Sequence, residues 1–501
     1  MKKTRKALFR LDAGSRIGAG HAVRCLALAD TLSREGWRCA FAVNEGFGAA
    51  LPFATTPDVE IVEATDASTW SAAALSSRWP AGFEIVIVDH YELDAEFERA
   101  IAGWAKRIVV VDDLLDREHT CDVLLCTAPP MGTSSDQIGA GICLFGPDYA
   151  LLRDQFARAR DLKLLDANDK STPLRVHIAF GGTFQGDLVQ RIVEGLALVG
   201  PPLDLVIVGE APKATGEIAT HVKITSIAST ADMASEMARA DFGIGACGGS
   251  AWERAALGLP SLALILVDNQ IHVAQALEDA QAARVVREGA SVSAEQICEA
   301  VRPLVEDADQ RDAMAGRAGL LCDGLGIQRA VLAIDPERDR EGHEIGLRRA
   351  ALADCEAVYD WQRHPDTRRF ANNPDVPSWR EHQAWFADRL QEPRTLLSIV
   401  TCAGEAAGFL RLDLLRRDGR PTRLVSIAID PVMKKRGIAL AALRCARRLV
   451  PEGPLIADVH PDNAASRALF ERAGFGLVDA RTYVLRGEQN SPAGRQAESV
   501  A

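Results

Sequence analysis

Residues Phe9–Arg24 read FRLDAGSRIGAGHAVR: an apolar run, a glycine-rich turn, then the opening of an amphipathic helix. A strand, a Gly-x-Gly turn and a helix in that order make the first part of a βαβ unit. The grammar repeats through the first two thirds of the chain. Strand-like runs recur at Ala7–Leu11, Glu84–Asp89, Ile108–Asp112, Val176–Phe180, Leu203–Val208, Phe242–Ala246 and Leu262–Leu266, with helical patterns such as Ala22–Glu35 and Leu188–Leu198 between them. Strands alternating with helices of this length imply parallel sheets. The runs fall into two sets, on either side of the charged and then turn-rich segment 154–173. Two doubly wound lobes are therefore expected, residues 1–155 and 156–335, with ligands between the carboxyl ends of their strands.

The stretch IDPERDREGHE (Ile334–Glu344) is charged and lacks apolar periodicity, so residues 336–344 read as a linker. A separate unit of strands and helices occupies 345–487, and the small polar residues of 488–501 read as a disordered tail. The chain has 501 residues, 48% hydrophobic and 25% charged, which is ordinary globular composition with material for about three domains. No run of about 18 apolar residues suggests a membrane span. The basic start MKKTRKALFR lacks the apolar region of a secretory signal, so a cytoplasmic protein is expected. Eleven cysteines at irregular spacings fit reduced thiols, and none has partners at zinc spacing, so no metal is expected. Residues 1–335 carry 31 Lys and Arg against 46 Asp and Glu, while 336–501 carry 26 against 23. So acidic a body is a poor surface for nucleic acid.

The chemistry sits in the turns. Gly18 and Gly20 let backbone approach a ligand closely, and His21 stands at the helix start, where an imidazole can act as a base. A second cluster, GACGGSAWERAALGLP (Gly245–Pro260), follows the strand Phe242–Ala246. There Gly248 and Gly249 form a backbone nest, Ser250 is the expected N-cap, and the helix start offers free N–H groups to a diphosphate. Glu253 in the first turn can accept hydrogen bonds from ribose. Asp89, His90 and Tyr91 end one strand and Val267–Gln270 another, and both stretches are expected at the cleft.

These motifs together, with Val111–Asp113 and Gly146–Arg153, resemble the UDP-sugar hydrolases of pseudaminic acid biosynthesis over residues 7–334. The resemblance implies a GT-B-like pair of lobes and metal-free release of UDP from UDP-2,4-diacetamido-2,4,6-trideoxy-β-L-altropyranose. It makes His21 the general base. It places Gly18, Gly20, Gly248, Gly249, Ser250, Glu253, Asn269 and Tyr91 around UDP and the sugar.

In the last unit, LVSIAIDPVMKKRGIAL (Leu424–Leu440) runs from a strand through a basic glycine turn into a helix. Gly437 and the small Ala439 let backbone wrap a diphosphate, and Lys434, Lys435 and Arg436 add positive charge. With DVHPDNAASRALFERAGF (Asp458–Phe475), this stretch is similar to the GNAT superfamily of acetyl-CoA-dependent N-acetyltransferases, an α+β fold. The resemblance implies that Lys434, Lys435, Arg436, Gly437, Ile438 and Ala439 cradle the diphosphate of acetyl-CoA. Asn463 and Ser466 lie along its arm, and the backbone around Ile427 and Ile429 holds pantetheine. Phe470 stands where many members have the Tyr that acts as general acid, leaving His460 and Tyr483 as candidates. A chain resembling both families would acetylate a UDP-linked amino sugar and then release UDP. The alternative is a GT-B glycosyltransferase with a CoA-binding regulatory module or an acyltransferase of different specificity. No membrane partner is indicated, and oligomeric state is not legible.

Overall fold

The structure is a computed structural model that describes residues 5–14, 19–50, 59–64, 70–133, 138–166, 172–181, 186–209, 221–371 and 373–487. It divides into two compact units, Met1–Ile334 and Asp335–Ala501.

In the first unit, β1 (Arg5–Leu11), β2 (Trp37–Val43), β3 (Val59–Glu63), β4 (Ile85–Asp89), β5 (Ile108–Val111), β6 (Val123–Cys126) and β7 (Ile142–Phe145) form one parallel sheet. Its order is β3-β2-β1-β4-β5-β6-β7. Every residue of β4 (IVIVD) and β5 (IVVV) is buried, as expected for strands covered on both faces. A second parallel sheet holds β8 (Leu174–Ala179), β9 (Leu203–Val208), β10 (Val222–Ile227), β11 (Phe242–Ala246), β12 (Ser261–Leu264) and β13 (Arg284–Val286), in the order β10-β9-β8-β11-β12-β13. Strand order reverses between β1 and β4 in the first sheet and between β8 and β11 in the second. Such reversal points open a crevice at the carboxyl ends of the strands.

The lobes exchange helices at their junctions. Phe156, from the helix Asp154–Leu165, packs with Trp252 and Ala255 of the second lobe, and Arg160 donates to the Ala256 carbonyl at 2.9 Å. Ile327, Ala330, Val331 and Ile334 of the helix Gly326–Ile334 return to the first lobe's core beside Ala7 and Phe9. A division at residue 155 therefore separates the two sheets but not their helices.

The second unit is built on an eight-stranded sheet ordered β14-β15-β16-β17-β18-β19-β21-β20. Its strands are β14 (Glu337–Arg338), β15 (Glu344–Arg349), β16 (Thr395–Cys402), β17 (Glu405–Arg417), β18 (Arg420–Ile429), β19 (Leu455–Asp458), β20 (Gly476–Leu477) and β21 (Thr482–Leu485). All neighbours are antiparallel except β18 and β19, which pair in parallel through Arg423↔Leu455 and Leu424↔Ile456. β18 continues to Ile429 without further ladder pairing to β19, so the two strands part. The helices Cys355–Arg363 and Trp379–Gln391 cover the sheet through Val358, Trp361 and Phe386, against Leu397, Ile399 and Phe409. The stretch expected as a linker forms a hairpin instead, with Glu337 paired to Ile345 and Arg338 to Glu344. Local turn hydrogen bonds, not apolar periodicity, hold it. The expected tail, 488–501, lies outside the described residues.

A buried charged cluster ties the helix Ala95–Ile101 to the end of β5. His119 lies with Nδ1 2.6 Å from Glu98 and Nε2 2.9 Å from Asp112, and neither its side chain nor Glu98's reaches solvent. Two carboxylates at the two ring nitrogens require both protons on the imidazole. Burial alone would lower its pKa, but the bonds to Asp112 and Glu98 outweigh that and raise it from 6.5 to about 9. The folded chain therefore holds this proton more tightly than the unfolded chain. The resulting stability is complete below pH ~6.5 and is lost as pH rises through 9. His119→Gln leaves the buried Glu98 carboxylate without its cation, while Asp112 keeps Arg117 at 2.8 Å, and should destabilise the first unit by about 3–5 kcal/mol near neutrality. Urea denaturation followed from pH 6 to 10 checks this: the variant should lose the wild type's decline over that range.

Candidate active sites

Both reversal points carry the residues singled out in the sequence. After β1 the chain turns into the helix Gly20–Arg34, with His21 its second residue and only 6% exposed. A Cβ on Gly20 would meet nothing within 4 Å, so space is open there. Gly18 lies outside the described residues.

His21 is fixed from below. Its Nδ1 is 2.6 Å from Asp89 Oδ1 at the end of β4. Arg24, one turn on, grips the same carboxylate with Nε at 2.6 Å and Nη2 at 2.5 Å, and reaches Asp113 with Nη1 at 2.6 Å. The Cys25 thiol also donates to Asp89, at 3.3 Å. Burial alone would raise the Asp89 pKa, but Arg24 and His21 outweigh it and hold the carboxyl far below the usual range. An ionised carboxylate at Nδ1 keeps the proton on that nitrogen and leaves Nε2 as the basic atom. Asp89, His90 and Tyr91 were expected together at the cleft from their place at a strand end. The structure turns Asp89 beneath His21, 1% exposed, and ties His90 Nε2 to Asp12 Oδ2 at 2.9 Å. Tyr91 stands beside the catalytic candidate, its ring edge-on to His21 at 4.8 Å between centroids. Sequence reasoning gave Arg24 and Asp113 no role, because their partners are set by the sheet rather than by local spacing.

The second lobe contributes the glycine turn after β11. Gly248, not Ser250, is the N-cap of the helix Gly249–Ala256. The Ala251 N–H already donates to the Gly248 carbonyl at 2.8 Å, so the helix is under way before Ser250, whose hydroxyl faces Arg254 Nη1 at 3.4 Å. A Cβ on Gly249 would meet nothing within 4 Å. Beneath this turn, Arg254 is fully buried and donates to the Ala246 carbonyl at 2.8 Å. Only glycine fits above it at 245, where a Cβ would stand 2.4 Å from the Ala179 carbonyl and 2.6 Å from the guanidinium. Glu253 pairs with Arg153 at 3.1 Å, and burial raises its pKa against that pairing. Asn269, in the turn Asp268–Gln270 after β12, donates to the Tyr91 hydroxyl at 3.1 Å. That bond joins the two lobes, as does Trp252 Nε1 to the Thr127 hydroxyl at 3.2 Å.

In the second unit, Ile427 and Ile429 lie on the part of β18 that has left β19. The turn after them ends with Lys435 at φ +69° and Gly437 at φ +96°, the N-cap of the helix Ile438–Leu449. Ile438 is buried, while Ala439 is half-buried. Lys434 Nζ is 3.1 Å from Asp366. The Arg436 side chain is turned inward, with Nη2 3.1 Å from Asp339 and 3.0 Å from His343 Nδ1, so at this turn Arg436 presents backbone rather than charge. Asn463 caps the helix Ala464–Arg472, accepting from the Ser466 N–H at 3.0 Å. Phe470 is core, packed against Phe475 at 5.0 Å. The Tyr483 hydroxyl is engaged by Arg467 Nε at 3.1 Å and Glu471 at 3.3 Å, while His460, just past β19, is half-exposed beside Phe370.

Residues 344–476 match the family model for the acetyltransferase (GNAT) domain. The second unit carries a GNAT acetyltransferase domain. For the first unit, a MurG structure from Acinetobacter baumannii aligns over 66% of this chain and 99% of that one, with a TM-score of 0.51 at 16% identity. The first unit has the GT-B fold. An uncharacterized protein of Methanocaldococcus jannaschii is 21% identical over 404 residues, 75% of this chain and 77% of that protein. A UDP-2,4-diacetamido-2,4,6-trideoxy-beta-L-altropyranose hydrolase of Campylobacter jejuni is 29% identical over 158 residues. That match covers 30% of this chain and 53% of the hydrolase, about half its length. No helix among the described residues is long and apolar enough to cross a membrane.

The Asp89 carboxylate is the common partner of His21 and Arg24. Asp89→Ala should destabilise the first unit by about 3–5 kcal/mol, since it leaves a largely buried guanidinium with one fewer carboxylate. Chemical denaturation of the full chain, read as the shift in the first unit's midpoint, checks this.

Proposed function

We propose that the chain is a bifunctional nucleotide-sugar enzyme that N-acetylates a UDP-linked 4-amino sugar and hydrolyses the acetylated product to UDP and free sugar. The product of the first step is then UDP-2,4-diacetamido-2,4,6-trideoxy-β-L-altropyranose. The observation that carries the hydrolytic half is the meeting of both reversal points. His21 on its ionised Asp89 comes from one lobe and the open helix start at Gly248 and Gly249 from the other, and Tyr91 and Asn269 bridge them at 3.1 Å.

In this reading the helix start and glycine turn hold the diphosphate and stabilise the charge that develops on it. Glu253 accepts from the ribose hydroxyls, and Tyr91 and Asn269 frame the sugar. Water attacks the anomeric carbon from the face opposite the diphosphate. Its proton passes to His21 Nε2, and the electron pair of the breaking C–O bond leaves with UDP. Asp89 stabilises the imidazolium that forms without taking its proton. Base assistance of this kind typically contributes 10²–10⁴-fold.

The GNAT domain supports acetyl-CoA as co-substrate for the other half. The turn Lys434–Ala439 would take the diphosphate of CoA, and the unpaired edge of β18 around Ile427 and Ile429 would hold its pantetheine arm, with Asn463 and Ser466 farther along. The amine nitrogen attacks the thioester carbon and gives up a proton to solvent as the amide forms, the C–S bond breaks, and the thiolate takes up a proton. In this reading His460 donates it, which the engagement of the Tyr483 hydroxyl by Arg467 and Glu471 supports.

UDP release from UDP-2,4-diacetamido-2,4,6-trideoxy-β-L-altropyranose tests the hydrolytic half. Wild type should release UDP without an acceptor, and His21→Ala should fall by about 10²–10⁴-fold in kcat with KM little changed. No release by folded wild type, with release on adding a sugar acceptor, would favour a GT-B glycosyltransferase. Free thiol formed from acetyl-CoA only when a UDP-4-amino sugar is present tests the other half.

A further inference from the structure

The hairpin between β14 and β15 grips the loop Lys434–Gly437 by side chain and backbone together. In its turn, Asp339 Oδ1 accepts from the N–H groups of Glu341 and His343, each at 2.9 Å. Oδ2 accepts from Arg436 Nη2 at 3.1 Å and also lies 3.3 Å from His343 Nδ1 and 3.8 Å from the Cys402 thiol. The same nitrogen is 3.0 Å from His343 Nδ1, 3.2 Å from Glu341 and 3.6 Å from Cys402 Sγ. The ligand atoms of Asp339, His343 and Cys402 lie within 4.8 Å of one another, a donor set that would suit zinc, but the Arg436 guanidinium supplies the cation at its centre. Arg340 completes the grip. Its N–H donates to the Arg436 carbonyl at 2.9 Å, and its Nη1 donates to the Lys435 carbonyl at 3.3 Å. Lys435 is held at φ +69°, a conformation that a residue with a side chain rarely adopts unless its surroundings impose it.

We propose that Asp339 is a positioning residue for the acyl donor: by anchoring Arg436 inside the hairpin, it presets the backbone of Lys434–Gly437 for a diphosphate. This rests on the reading of that loop as the CoA diphosphate site. A backbone anion site binds well only when its N–H groups already point to one place, and ordering them during binding weakens affinity. Arg436 then serves the ligand without touching it, and Lys434 and Lys435 remain as the loop's outward charges. The Asp339 side chain is closed to solvent and that of Arg436 is 25% exposed, so water screens the pair little.

The test is equilibrium binding of CoA to the full chain, wild type against Asp339→Asn, Arg436→Met and the double variant, with thermal unfolding of each. Both single variants should bind CoA about 10- to 100-fold more weakly, the range expected for losing one charged hydrogen bond. The double variant should be no worse than either single one, and UDP binding by the first unit should not change. Arg436→Lys, which keeps the charge and loses the fork, should recover part of the affinity. A merely structural role would lower the unfolding temperature and leave the affinity of the folded fraction intact. Wild-type binding that Asp339→Asn leaves within twofold would overturn the proposal alone, as would additive losses in the double variant. Failure of wild type to bind CoA would overturn the reading of the loop and the proposal with it.

Discussion

Asp89 ends the central strand β4 of the first sheet, and its two carboxylate oxygens are shared by His21, Arg24 and Cys25 of one helix. Much of the first lobe follows from this buried charge. It can stay ionised only because a guanidinium and an imidazole meet it there, and they do so only if the first turn of the helix after β1 lies beside the carboxyl end of β4. The reversal of strand order between β1 and β4 provides that geometry. The interaction therefore ties the start of the helix to the end of β4 and sets which ring nitrogen of His21 carries the proton. The second lobe repeats the topology with a different device: Arg254, buried under Gly243 and Gly245, supports the turn that opens the helix at Gly249.

The parts of this arrangement that were legible in the sequence are those whose signal is local. Runs rich in β-branched residues, such as β4 and β5, announced the central strands. Residues 37–43 (WRCAFAV) and 123–126 (VLLC) did not, because Arg, Ala and Cys dilute the pattern or the run is too short. The glycine turns and His21 were visible because a turn and the helix after it are contiguous. The His21–Asp89 contact spans 68 residues and depends on strand order, so the sequence showed Asp89 only as the end of a strand. Ser250 looked like an N-cap because its residue type favours one, but the backbone already turns into the helix at Gly248, whose carbonyl accepts from the Ala251 N–H.

The hairpin at 337–345 teaches the same lesson in the second unit. Its charged residues read as a solvated linker. Asp339 is instead enclosed, satisfied by two N–H groups of its own turn and by a guanidinium 97 residues away. Charge marks exposure only where no partner waits, and partners distant in sequence are invisible to composition. Both units thus set a buried carboxylate against a basic side chain next to a glycine turn, Asp89 with His21 and Arg24 and Asp339 with Arg436.

The central claim is that His21 delivers water to the anomeric carbon from the face opposite the diphosphate. Proton NMR of the sugar as it is released, recorded before mutarotation, measures this directly. The account predicts that the first anomer formed is inverted relative to the UDP-linked substrate. A first-formed sugar of retained configuration would require a covalent or front-face route and would contradict it.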